Sequence, residues 1–137
     1  VRVVTKILTF STREKFELIN ITADVERTVS ESGISNGICL VFAPHATGAI
    51  IANENERGLI KDILNHISSL FPPGREWLHN RIDDNAHAHV ASSLIGTSLT
   101  LPVINGKLVR GTWQDVFFVE MDGPRTNRRV IVEVLGE

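Results

Sequence analysis

The stretch His79-Asn-Arg-Ile-Asp-Asp-Asn-Ala-His-Ala-His89 carries three of the chain's five histidines, beside Asp83, Asp84 and Asn85. Neutral imidazoles and carboxylates are ligands for divalent transition metals, and both exchange protons at accessible pH. A solvated surface loop is the bland reading of such a composition. The clustering favours a metal or acid/base site.

The spacing sorts these histidines. In a strand, His87 and His89 would point to one side. In a helix they stand about 200° apart. The sequence favours a helix, because Asp84 or Asn85 can cap Ala86-His-Ala-His-Val-Ala-Ser-Ser-Leu-Ile95 and Gly96 can stop it. Asn85 and His89 then share a face one turn apart. His89 is the stronger ligand candidate, with His87 supporting a ligand or lying at the surface.

Other residues could take part. His45 lies between an apolar run and Gly48, placed either to line a cleft or to bond backbone. Glu54 ends the next apolar stretch, as a first-turn helix acid or a site carboxylate. Trp113, Gln114 and Asp115 fall together inside an expected strand, where an inward Gln114 would need partners. Arg125, Arg128 and Arg129 crowd five positions after a turn. Arg125 or Arg128 could fork onto a phosphate or carboxylate, or Arg125 could pair with Asp122 or Asp115. P-loop, Rossmann glycine, serine-elbow and CxxC signatures are missing from the sequence.

The elements that must position these groups follow from periodicity. Residues 1–10 alternate as a strand, and Phe16 to Ile21 form a second, expected to hairpin onto the first. Thr22 caps a helix over 23–32 that Gly33 stops. Residues 38–43 read as a central strand. Leu59, Ile60, Ile63, Leu64, Ile67 and Leu70 stripe a helix over 55–70, with His66 off the stripe. Strands follow at 98–104, after an Asn105-Gly106 turn at 107–110 and 112–121, and at 129–135. The expected class is a single α+β domain over residues 1–137, largely antiparallel, with two to three helices.

A chain of 137 residues can bury about 70% of its unfolded surface in one domain. Its net charge of -2 gives no electrostatic reason to expect nucleic acid or an anionic membrane as partner. No apolar run is long enough to span a bilayer, and no signal-peptide pattern opens the sequence. The single Cys39, inside Ile38-Cys-Leu-Val-Phe42, fits an inert buried thiol in a reducing cytoplasm.

Together these landmarks resemble the YjbQ family, also described as secondary thiamine-phosphate synthases. The matching residues are Pro44-His-Ala-Thr-Gly-Ala-Ile-Ile-Ala-Asn-Glu54, His79 and Asp84-Asn-Ala-His-Ala-His-Val90. Gly96, Pro102, Asn105-Gly-Lys-Leu108, Gly111-Thr-Trp-Gln114 and Asp122-Gly-Pro-Arg125 continue the match in order. The family usually has a second Thr and then Ala after its first histidine, where this chain has Ala46-Thr-Gly48, and more often leucine where Arg110 stands. The resemblance implies a homotrimer with a metal-binding cleft, and condensation of an aminopyrimidine pyrophosphate with a thiazole phosphate. On that view His45, His79 and His89 hold a divalent metal, Zn or Mg, and Glu54 or Asp84 orients a ligand or moves a proton. Asn85, Trp113, Gln114 and Arg125 would contact the phosphorylated substrate. A non-catalytic trimer that holds a metal or anion as scaffold or sensor is the alternative.

Overall fold

The structure, a computed structural model, describes residues 1–74 and 76–137. Its strands are β1 (Arg2–Phe10), β2 (Glu17–Asn20), β3 (Gly37–Phe42), β4 (Gly48–Asn53), β5 (Ser98–Ile104), β6 (Lys107–Leu108), β7 (Asp115–Glu120) and β8 (Arg128–Gly136). Its helices are α1 (Thr22–Ser32), α2 (Arg57–Leu70) and α3 (Ala86–Ile95), with a 3-10 turn at Leu78–Arg81. The fold is α+β and every strand pair is antiparallel.

The strands form two sheets, one in the order β1-β8-β3-β5-β6 and a smaller one in the order β2-β7-β4. The expected β1–β2 hairpin is not made: β1 pairs with β8 and β2 with β7. The polar link Ser11 to Phe16 instead crosses between sheets, where the Thr12 and Gly123 amides bond Arg125 and Lys15 carbonyls. Gly123 is needed at that crossing, since a Cβ there would stand 2.0 Å from the Glu14 carbonyl oxygen.

One core fills the space between the sheets and α1, with Val25, Val29, Val41, Ile50, Phe118 and Val132 buried. A second lies on the other face of the small sheet, where Ala49, Val119 and Met121 meet Ile67 of α2 and Ala88 and Ala91 of α3. The central strand β7 is therefore covered on both sides, which accounts for its nearly unbroken apolar sequence.

Helix starts differ from the expected caps. Thr22 lies inside α1, and its hydroxyl donates to Asn20 Oδ1 and accepts the Val116 amide, tying α1 to β7. Glu56 caps α2, its carboxylate accepting the amides of Gly58 and Leu59 at 2.8 Å. Asn105 and Gly106 have φ of 52° and 77°, the signature of the expected type I′ turn. Among the described residues no helix is long and apolar enough to cross a membrane.

Candidate functional site

Side chains alternate along β7, so Glu120 faces the same way as Val116 and Phe118, into the space between the sheets. Its carboxylate is fully buried. It accepts Arg128 Nε at 2.8 Å and Thr12 Oγ1 at 2.7 Å, and is also bonded to Arg128 Nη2. The amides of Met121 and Asp122 each add a bond of 3.0 Å. Burial raises the Glu120 pKa, but bonds from Arg128, Thr12 and the Asp122 amide outweigh it and hold the group ionised. Arg128 Nη2 also donates to Thr47 Oγ1 at 3.0 Å, and the guanidinium lies over the Phe118 ring.

The network positions His45. The amide of Arg129, next to Arg128, donates to His45 Nε2 at 2.9 Å. A nitrogen that accepts an N–H carries no proton, so the neutral ring is protonated on Nδ1. Burial, then the nearby Arg128 charge, keeps the His45 pKa below 6.5. While this bond stands, neither nitrogen has a free lone pair for a metal.

At the start of α3, Asn85 precedes the first turn without capping it by side chain. Its Nδ2 donates instead to Asp122 Oδ2 at 2.8 Å. Arg125 Nη2 meets the same oxygen at 2.5 Å, and Arg125 Nε donates to the Asp122 carbonyl at 2.9 Å. Asn85 Oδ1 is buried with no hydrogen-bond partner. Leaving such an acceptor unpaired costs about 1–3 kcal/mol. His87, expected beside a ligand or at the surface, is fully buried in the second core. Its Nε2 lies 3.0 Å from the Met121 carbonyl, which only accepts, so Nε2 carries the proton.

His79, on the 3-10 turn, meets His89 of α3 with ring centroids 4.8 Å apart at 74°. Beside them a cavity of about 310 Å³ is lined by Leu78, His79, Arg81 and Ile82. Asp84 is exposed just before α3, and Glu54 is partly buried after β4. Trp113 and Gln114 are not in a strand. They belong to an exposed turn in which Gln114 Oε1 accepts the Gly111 amide at 2.7 Å, and Trp113 is 71% exposed.

The fold therefore assembles His79 with His89, and Asn85 with Asp122 and Arg125. His45 lies instead against Arg129 and Phe118. Among the described residues no three His, Cys, Asp or Glu side chains gather closely enough to hold a metal. One chain offers a pair of imidazoles, a donor set suited to Zn rather than to Mg, which prefers oxygen.

Arg128, expected to fork onto a phosphate or carboxylate, forks onto Glu120, whereas Glu120, Thr12 and the Thr47 contact were not among the expected site residues. The signal for Glu120 was a carboxylate inside Val116-Phe-Phe-Val-Glu-Met121, since a buried charge needs a partner.

Residues 6–137 match the family model described as UPF0047 protein YjbQ-like. A UPF0047 protein of Archaeoglobus fulgidus is 48% identical over 128 residues, covering 93% of this chain and 98% of that protein. One from Methanothermobacter thermautotrophicus is 47% identical, covering 98% and 94%. The crystal structure of a YbjQ-like protein from Sulfolobus solfataricus superposes with a TM-score of 0.98 at 54% identity, covering 99% of each chain. A hypothetical protein of Aeropyrum pernix superposes at 0.94 with 43% identity, covering 98% and 99%. With sequence and architecture matching from end to end, the chain belongs to the UPF0047, YjbQ-like family.

Proposed function

We propose that the chain is a metal-dependent enzyme for a phosphorylated small molecule, of the thiamine-phosphate-synthase type. That reaction joins an aminopyrimidine pyrophosphate to a thiazole phosphate and releases pyrophosphate. The observation that carries the reading is the His79–His89 pair, 4.8 Å between centroids, with His79 lining a cavity that Arg81 also lines. The two rings would hold a divalent ion, best Zn, with positions left for substrate or a further ligand. When bound, such an ion offsets negative charge on a departing pyrophosphate.

The chain's own groups supply the rest. Arg81, and Arg125 through the half of its side chain left open by Asp122, would face phosphate oxygens. Trp113, largely exposed, would stack on a planar heterocycle. Glu54 or Asp84 would orient a ligand or move a proton. His45 joins the ligand set only if its bond with the Arg129 amide opens. A homotrimer in a reducing cytoplasm completes the reading, with the free Cys39 buried and its pKa raised to about 11 by burial.

The second reading is a trimer that holds a metal or anion without turnover. It is favoured by the closed Arg125–Asp122 pair, which gives that arginine a role in the fold. Elemental analysis and a pyrophosphate-release assay on one preparation separate the two. Metal with turnover supports the enzyme, and metal without turnover on any such substrate pair supports the scaffold. Metal-free protein sinks both metal-based readings.

A further inference from the structure

We infer that Asn85 reads an N–H donor of the bound ligand with its side-chain oxygen, and that Asp122 and Arg125 are the positioning residues that hold this oxygen in place. The ligand group is the amino substituent of a planar nitrogen heterocycle. That last step rests on the function proposed above, whereas the orientation of the amide does not.

The orientation follows from what each group can do. Asp122 Oδ2 takes hydrogen bonds from Asn85 Nδ2 and from Arg125 Nη2. A carboxylate engaged by a guanidinium only accepts. Asn85 must therefore turn its NH₂ group to Asp122, and its oxygen must face the other way. Turning the amide over would set oxygen against oxygen at 2.8 Å. The freed acceptor is more than nine-tenths buried and has no partner.

Asn85 also stands one helical turn before His89, whose amide bonds the Asn85 carbonyl at 3.3 Å. Residues so spaced share a face of the helix, and His89 packs on His79. Asn85 and His89 thus stand at the same end of α3. A site with a fixed buried acceptor rejects ligands lacking the matching donor, because the acceptor then stays unpaired.

The test uses 4-aminopyrimidine, 4-methylpyrimidine and 4-pyrimidinone as probes, with affinities from ligand-observed NMR on metal-stripped full-length protein. The wild type should bind 4-aminopyrimidine about tenfold or more tightly than 4-methylpyrimidine. Asn85→Leu should remove that difference. Asp122→Asn lets the Asn85 amide turn either way, so the preference for amino over keto probe should shrink severalfold. A merely structural Asp122 would lower the melting temperature without moving this ratio. Equal affinity for amino and methyl probes in the wild type, or discrimination that survives Asn85→Leu, overturns the inference. So does a crystal structure in which an ordered water alone satisfies Asn85 Oδ1 in the presence of 4-aminopyrimidine. Discrimination without any bound metal supports the inference even where the metal reading fails.

Discussion

Glu120 and Arg128 form a buried, forked ion pair across the corner between β7 and β8, with Nε and Oε1 2.8 Å apart. The residue after each member carries the effect onward. Met121 supplies the carbonyl that fixes His87, and Arg129 supplies the amide that fixes His45. The pair also ties Thr12 and Thr47 to the same corner, so two loops and two histidines depend on one charge contact.

Arg128→Met should therefore destabilise the protein strongly. It leaves a fully buried carboxylate without its countercharge, a change that typically costs about 3–5 kcal/mol. Denaturant unfolding measures the loss directly. Adding Glu120→Leu should restore part of it, because the stranded charge is then gone. A single variant as stable as wild type would show that the pair contributes little.

The same pair sets an acid limit. Glu120 has its pKa below the ordinary 4.5, because bonds from Arg128 and Thr12 outweigh the opposing effect of burial. A carboxyl group lowered on folding adds stability that is complete above its unfolded pKa and lost as pH falls through the folded one. Stability should thus fall as pH drops below about 4.5, and Glu120→Gln should flatten that part of the profile. Unfolding free energies across this range, with an unchanged acid slope in the variant, would remove Glu120 as the cause.

Metal retention should separate the histidines. His79→Ala and His89→Ala should each lower occupancy by an order of magnitude or more, since each removes half of a pair. The exposed His66 should be replaceable without effect. His45→Ala should cost less metal than either, because its Nε2 is already engaged by Arg129. His87→Ala should lose stability, as the buried ring packs near Phe16 and bonds Met121. Elemental analysis beside melting curves distinguishes these outcomes.

Much of this was legible in the sequence because it is local. The stop of α3 at Gly96, where φ is 101°, and the Asn105-Gly106 turn follow from φ preferences within a few residues, although the side-chain cap expected at the start of α3 is not made. Sheet pairing was not, since β1 and β8 lie at opposite ends of the chain and nothing local encodes their register. The site shows the same divide. His79 and His89 sit within one segment, ten residues apart, and their rings meet. The contacts Asn85–Asp122 and His45–Arg129 span 37 and 84 residues, distances at which residue type gives no partner. Gln114 was drawn into a strand by its neighbours, whereas its own amide closes the turn with Gly111.

Trp113 gives the sharpest separation of function from fold. An indole that is 71% exposed at the tip of a turn contributes little to the core. The turn is closed without it, by the Gln114 side chain and by the bond between the Gln114 amide and the Gly111 carbonyl. Trp113→Ala should therefore change stability by no more than about 0.5 kcal/mol. If the ring stacks on the heterocycle of the ligand, the variant should lose about 1 kcal/mol of binding, roughly fivefold in Kd. Quenching of indole fluorescence by the heterocycle supplies a second readout, with Trp77→Phe removing the other tryptophan signal. A loss of stability above 1 kcal/mol would assign the ring to the fold or to a contact between copies. Unchanged affinity and absent quenching would remove Trp113 from the ligand site.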